Sequence, residues 1–505
     1  MSAESKRIVD KAWNFATVLW HDGVPYLSYT EEITFLMFLK MADEVTKAPY
    51  NRPPIVPAEY NWQSLVSRDG EALKRHYDKA LQELAKQPGM LGAIFKRAKS
   101  VIEKPETLRR LVVDFIDKET WMSMDADVKG DIYEGLIERS MSDAGQGAGQ
   151  YFTPRPLIRA IVDCVQPTPA DTVGDPACGT GGFLLAPYDY VIKNYSKELD
   201  KDQKKHLRTA FVKGWELVPN TARLCIMNLY LHGIDPGPSK AGEPDRCPVV
   251  SGADSLATDP GDRFSLILTN PPFGKKSTIT ILNDAGDLEK DDTAYERQDF
   301  WTATKNKQLN FLQHVKTLLK VNGRCAIVVP DNVLFEGGAG EKVRTNLLRQ
   351  FDVHTLLRLP TGIFYAQGVK ANVLFFDAKP AREQPWSSKL WVYDLRTNKH
   401  FTLKTNPLKR SDLDEFVSCY KPGERHLRQS TWTEATPDGC WRAFEYDDLM
   451  KRDKVSLDLF WLKDQSLEDS ADLPKPDVLA DEIADDLETA LEQFQVVAAK
   501  LKNRT

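Results

Sequence analysis

A chain of 505 residues is too long for one ordinary hydrophobic core and points to two or three domains. Its 67 basic and 73 acidic residues leave a net charge of −6, which argues against a protein that grips nucleic acid unaided, because phosphate neutralisation supplies much of such affinity. Seven cysteines without a C-x-x-C pair argue against a disulfide framework or a zinc site, and the lack of a signal peptide or a membrane-length apolar run makes the cytoplasm the expected compartment.

Residues 1–145 carry helical patterns and no alternating strand pattern. Trp13, Ala16 and Trp20 fall at helical spacing, and Ser28 with Glu31 reads as a capping box ahead of Ile33, Leu36, Met37 and Met41. This predicts a helical domain with its own core, its aromatic stripe used for packing. Lys96, Arg97, Lys99, Arg109 and Arg110 suit either phosphate contact or an ordinary solvated face. The glycine- and alanine-rich residues 142–149 read as a flexible linker. Gln150, Tyr151 and Phe152 follow, then Thr153 as an N-cap and Pro154 at the first helical position, a helix start that presents free N–H groups.

Next come Asp175, Pro176, Ala177, Cys178, Gly179, Thr180, Gly181 and Gly182, between a strand-like run at 171–174 and a helix-like run at 183–192. Glycines here let the backbone turn tightly and approach a ligand, as at the end of the first strand of nucleotide-binding folds. The spacing is neither G-x-G-x-x-G nor a phosphate loop ending in Gly-Lys-Ser/Thr, so neither NAD nor ATP is favoured, and a purely structural turn stays open. Strand-like runs at 211–216 and 249–254 end in Glu216 and Asp254, carboxylates suited to a ribose and to an adenine amino group.

The apolar run 264–269 then stops at Asn270, Pro271, Pro272 and Phe273. A nucleobase amine is a poor nucleophile because its lone pair is delocalised into the ring, so a site for it needs acceptors for its N–H groups. The Asn270 side-chain oxygen and the Pro271 carbonyl supply them, proline's fixed φ makes them rigid, and Phe273 stacks on the base. The bland alternative is a proline-rich turn closing a strand. The stretch from Gly274 to about Asp299 is polar and lacks periodicity, so it reads as a long loop, functional or disordered, with Lys275 and Lys276 near its start. A helix at 308–319 and strands at 324–329, 353–359 and 372–376 complete the sheet, His314 being a surface or partly packed residue of that helix. Ala480, Ala484, Leu487, Leu491, Phe494, Ala498 and Leu501 follow steps of four and three, a seam that packs on the same chain or on a partner's helices.

The run from Gln150 to Arg155, the motif at 175–182, Glu216, Asp254 and the Asn270 to Phe273 turn together resemble the amino-methyltransferases of adenine in DNA, in the γ order of motifs. More narrowly, the chain is similar over most of its length to the modification subunit (HsdM) of type I restriction-modification systems. The resemblance implies an α/β Rossmann-like core dependent on S-adenosylmethionine, a seven-stranded, mostly parallel sheet, with an N-terminal all-helical domain and a C-terminal helical tail. The implied divisions are a helical domain at 1–145, a methyltransferase domain at 146–380, a mixed extension at 381–470 and an assembly helix at 471–505. It further implies catalytic roles for Asn270, Pro271, Pro272 and Phe273. Cofactor contacts are implied from Gln150, Tyr151, Phe152, Thr153, Asp175, Ala177, Gly179, Thr180, Gly181, Gly182, Glu216, Asp254 and Ser255, with no metal.

The expected reaction is direct methyl transfer to N6 of an adenine flipped out of double-stranded DNA. The expected partners are a specificity subunit, with two modification chains to one, and a restriction subunit. Self-sufficient DNA amino-methylation, methylation of a protein glutamine, cytosine-N4 methylation and a catalytically silent scaffold are the rival readings.

Overall fold

The computed structural model describes residues 7–15, 26–122, 153–239, 246–273, 278–282, 288–292, 295–364, 370–397, 399, 401–402 and 406–462. The linker at 142–149, Gln150, Tyr151, Phe152, Lys275, Lys276 and the C-terminal seam lie outside them.

The described residues before 123 build helices and no strand, led by Tyr26–Glu44 and Gly70–Leu84. The second helix buries Leu73, Tyr77, Ala80, Leu81 and Leu84, the stripe a helical period dictates. Ile33, Leu36, Met37 and Met41 are buried as expected. The capping box is not: Ser28 falls inside a helix that already begins at Tyr26. Glu31 instead pairs with Arg223 of the helix Pro219–Leu231, whose guanidinium lies 5.1 Å from the Phe35 ring centre and donates to the Lys96 carbonyl at 3.0 Å. Phe38 stacks on Tyr230 of that helix at 6.4 Å. The helical domain therefore lacks the separate core expected from its sequence and shares one with a face of the sheet.

Eleven strands are described: β1 Val173–Asp175, β2 Val212–Glu216, β3 Val249–Ser251, β4 Phe264–Thr269, β5 Thr278–Leu282, β6 Leu288–Asp292, β7 Leu319–Pro330, β8 Phe351–Arg358, β9 Ala371–Ala378, β10 Lys389–Asp394 and β11 Trp441–Glu445. Nine form one sheet, ordered β11-β10-β8-β9-β7-β4-β1-β2-β3. The seven from β8 to β3 are the expected mostly parallel core, in which β9 alone runs antiparallel, wedged between β7 and β8. The two further strands come from the 381–470 extension: β10 lies parallel to β8, with Trp391 opposite Thr355, and β11 closes the edge antiparallel to β10. Stacking of Trp391 on Trp441 at 5.3 Å secures this short pair, a contact no local pattern reveals.

Both faces of the sheet are covered. Along the fully buried β9, Val373 and Phe375 enter the core shared with the N-terminal helices, while Leu374 and Phe376 enter the opposite one. The expected loop after Phe273 holds the antiparallel hairpin β5–β6, in register from Thr278 opposite Asp292 to Leu282 opposite Leu288. His314, expected near the surface, is fully buried on the helix Lys307–Leu318, where Arg297 donates to its Nδ1 at 3.0 Å.

Strand order reverses at β1, with β2 and β3 on one side and β4 on the other. In open α/β sheets the crevice outside the carboxyl ends of strands at such a reversal is where ligands bind.

Candidate active site

Asp175 ends β1, and its Oδ1 accepts the Ala177 N–H at 3.0 Å, which closes the turn. Burial pushes its carboxyl up to about 7 against the hydrogen bonds that favour the charged form, and the neighbouring Glu216 adds to the rise. The chain then reaches toward β2, where the Cys178 N–H donates to the Trp215 carbonyl at 2.9 Å. Gly179 and Gly181 take φ of +54° and +91°, left-handed backbone that only glycine adopts cheaply. A Cβ on Gly181 would also sit 2.8 Å from Cys225 Sγ. Gly182 opens the helix Gly182–Tyr195, and Asn228 holds the Thr180 carbonyl at 3.1 Å.

Glu216, at the end of β2, ties this loop to the next. Its Oε2 accepts the Gly179 N–H at 3.1 Å, its Oε1 the Val218 N–H at 2.8 Å, and its carbonyl the Gly252 N–H at 2.8 Å beyond β3. Burial raises its carboxyl above the ordinary value, opposed by those backbone donors. A carboxylate has about four acceptor positions, so two remain for a vicinal diol. Asp254 follows β3 and is exposed; Oδ1 accepts the Leu256 N–H at 3.0 Å and Oδ2 accepts the Tyr295 hydroxyl, with Ser255 half-buried beside it.

The turn after β4 faces this loop set. Asn270 Nδ2 donates to Thr153 Oγ1 at 2.9 Å, across 117 positions of sequence. Its Oδ1 is buried and has no partner. Thr153 thus does not cap the helix as expected: Arg155–Val165 starts one residue later, with Pro154 at the N-cap position, and the hydroxyl serves Asn270 instead. Pro271 is buried, and Phe273 meets Phe364 edge to face at 5.5 Å. Phe364 belongs to the segment between β8 and β9, and no motif in the sequence marked that place. Tyr295 was likewise missed, lost in a polar stretch.

Of the basic residues at 96–110, Arg109 is engaged within the helical region, where it donates to the Val66 carbonyl at 2.9 Å. A hydrogen bond with Cys225 and burial push the Cys178 thiol well up, so the nucleophilic thiolate is scarce near neutral pH. Among the described residues no group of three metal-ligating side chains converges, and no helix is long and apolar enough to cross a membrane.

The arrangement has two halves: a loop set with paired carboxylates and left-handed glycines, and an amide oxygen, buried and unpartnered, beside an aromatic pair. The first fits a nucleoside-bearing cofactor, and the second lacks only an N–H donor.

Comparison with known proteins bears on the chain as a whole. A family model described as N-6 DNA Methylase matches residues 124–448, and another described as HsdM N-terminal domain matches residues 8–115. The chain is 37% identical to the type I restriction enzyme StySPI methylase subunit of Salmonella potsdam and 36% identical to the EcoKI methylase subunit of Escherichia coli, each over 98% of this chain and 95% of the relative. The crystal structure of the EcoKI M protein aligns with a TM-score of 0.53 at 32% identity, covering 98% of this chain and 96% of that one. A modification subunit of a putative type I restriction enzyme from Vibrio vulnificus, 24% identical, shares the fold with a TM-score of 0.70 over 92% of this chain and 98% of that one.

Proposed function

Because the chain belongs to the methylase subunits of type I restriction enzymes, a family of adenine-N6 DNA methyltransferases, we propose that its sheet edge transfers a methyl group from S-adenosylmethionine to N6 of an adenine flipped out of duplex DNA, in assembly with a specificity subunit. The observation that carries this reading is the buried, unpartnered Oδ1 of Asn270, whose amide orientation is set by Thr153. An unsatisfied buried acceptor is costly unless a ligand completes it, and an exocyclic amine supplies the missing donor.

The cofactor brings an electrophilic methyl group on a sulfonium. Gly179 and Gly181, through their left-handed backbone, let the loop curve around it, with Ala177, Thr180 and Gly182 shaping the loop; Glu216 binds its ribose, Asp254 and Ser255 its adenine. Gln150, Tyr151, Phe152 and Thr153 serve its methionine end. Asn270 Oδ1 and the Pro271 carbonyl accept the two N–H groups of the target amine, which localises the lone pair on nitrogen and stabilises the positive charge that develops there. Pro272 stiffens the turn and Phe273 stacks on the flipped ring, its own edge held by Phe364. No covalent enzyme intermediate is required.

A net charge of −6 supports delegation of DNA sequence recognition to a partner, two modification chains serving one specificity chain, with a restriction subunit completing the complex in the cytoplasm. The test is methyl transfer from labelled S-adenosylmethionine to genomic DNA free of prior methylation, with the chain alone and with a co-expressed specificity subunit, the product nucleoside read by mass spectrometry. N6-methyladenine only with the partner is the expected result. Activity of the chain alone removes the dependence on assembly, and no modified adenine in either case overturns the reading.

A further inference from the structure

The chain leaves the target-amine turn at Phe273, forms the hairpin β5–β6 and comes back at Tyr295. It comes back to the other half of the site. The Tyr295 hydroxyl donates to Oδ2 of Asp254, whose Oδ1 is already engaged by the Leu256 N–H at 3.0 Å. Both carboxylate oxygens are thereby fixed, although the side chain is exposed and otherwise free to rotate.

Tyr295 is itself held. Its backbone bridges Thr304 in antiparallel fashion. Two residues on, Arg297 Nη1 donates to the carbonyls of Leu256 and Thr258 at 3.1 and 3.2 Å, the far side of the Asp254 loop. The rest of its guanidinium grips Asp299 at 3.0 and 2.7 Å, and the group lies 4.3 Å from the Phe300 ring centre. Asp299 in turn accepts the Thr317 hydroxyl at 2.5 Å on the helix Lys307–Leu318. The segment 295–299 is therefore a strap, anchored on a buried helix, that binds the Asp254 loop at three points.

We infer that Tyr295 is a positioning residue for the cofactor's adenine: its hydroxyl orients the Asp254 carboxylate so that the remaining acceptor positions meet the 6-amino group. The inference rests on the reading of Asp254 as the adenine acceptor. Two donors leave about two of four acceptor positions free, so Tyr295 and the amine bind together rather than compete. The strap also makes the segment that follows the target-amine turn a support of the cofactor site.

The experiment uses the full chain with Tyr295→Phe and calorimetric titration of two probes: S-adenosylhomocysteine and its analogue with hydrogen in place of the 6-amino group. Loss of one oriented hydrogen bond is expected to weaken the first about three- to tenfold and to leave the second within about twofold. In the assembled enzyme KM for S-adenosylmethionine rises by the same factor while kcat at saturation holds. Unchanged affinity for S-adenosylhomocysteine, tighter binding, or equal loss for both probes overturns the inference. Asp254→Ala, run in parallel, separates the two claims. If it weakens S-adenosylhomocysteine and Tyr295→Phe does not, only the role of Tyr295 falls. If Asp254→Ala has no effect, the adenine assignment falls first.

Discussion

The cofactor half and the target half of the sheet edge are built on opposite principles. At the ends of β1, β2 and β3 the polar groups satisfy one another: Glu216 takes N–H groups from Gly179 and Val218, and Asp254 takes donors from Leu256 and Tyr295. At the end of β4 one amide hydrogen bond is made, to Thr153, and the oxygen of the same amide is buried without a partner. A loop set that is already bonded is preorganised for a ligand that adds to it. A buried acceptor left open is completed only when the substrate amine arrives, and such stored unsatisfaction is where transition-state stabilisation is concentrated.

That contrast breaks most sharply at Asn270. Asn270→Ala is expected to lower kcat by about 10²–10³-fold while cofactor affinity, measured by calorimetry, changes by less than about twofold. Equal loss of both would show that the two halves are not separate.

The preorganised half is tested by Gly181→Ala. A φ of +91° and a Cβ 2.8 Å from Cys225 Sγ make alanine strained there, and the loss is expected at about 2–4 kcal/mol in denaturant unfolding together with weaker cofactor binding. Adding Cys225→Ala relieves the steric part and leaves the backbone part.

Asp175 sharpens the comparison through pH. Its folded-state carboxyl is raised to about 7 by burial, above its value of 3.8 when exposed. The folded protein therefore holds a proton that the unfolded chain has released between those values, and stability from this group is lost as pH rises, by up to about 1.4 kcal/mol per unit. Asp175→Asn keeps an oxygen for the Ala177 N–H and removes the titration. Its stability relative to the parent should grow from pH 5 to pH 7 in unfolding titrations and level off above; a difference independent of pH would contradict the assigned cause. The smallest effect is expected for Cys178→Ala, with methyl transfer retained within about threefold and a stability loss near 1 kcal/mol for the lost sulfur contact.

Much of this site is legible in the sequence because its signals are local. A buried parallel strand is a short apolar run, and its end shows as an abrupt change to glycine, proline or a carboxylate; Asp175, Glu216, Asp254 and Asn270 were each visible in that way. The strand at 264–269 has the bounds read for it, and the seven-strand core has its expected composition.

Elsewhere local rules gave the wrong partner. Thr153 looked like a cap and serves Asn270, Glu31 looked like half of a capping box and pairs with Arg223, and His314 looked peripheral and is buried against Arg297. Each of these residues has a polar group that accepts either a neighbour in sequence or one more than a hundred positions away, except His314, whose partner lies 17 positions off across a hairpin's return. Sequence by itself determined which strands end in ligand-type groups, because that depends on hydrophobicity and backbone freedom over a few residues. Only the tertiary structure decided which of those groups are already bonded and which oxygen is left waiting, because hydrogen-bond partners are set by the packing of distant strands, and burial turns an unmade bond from a negligible cost into a functional one.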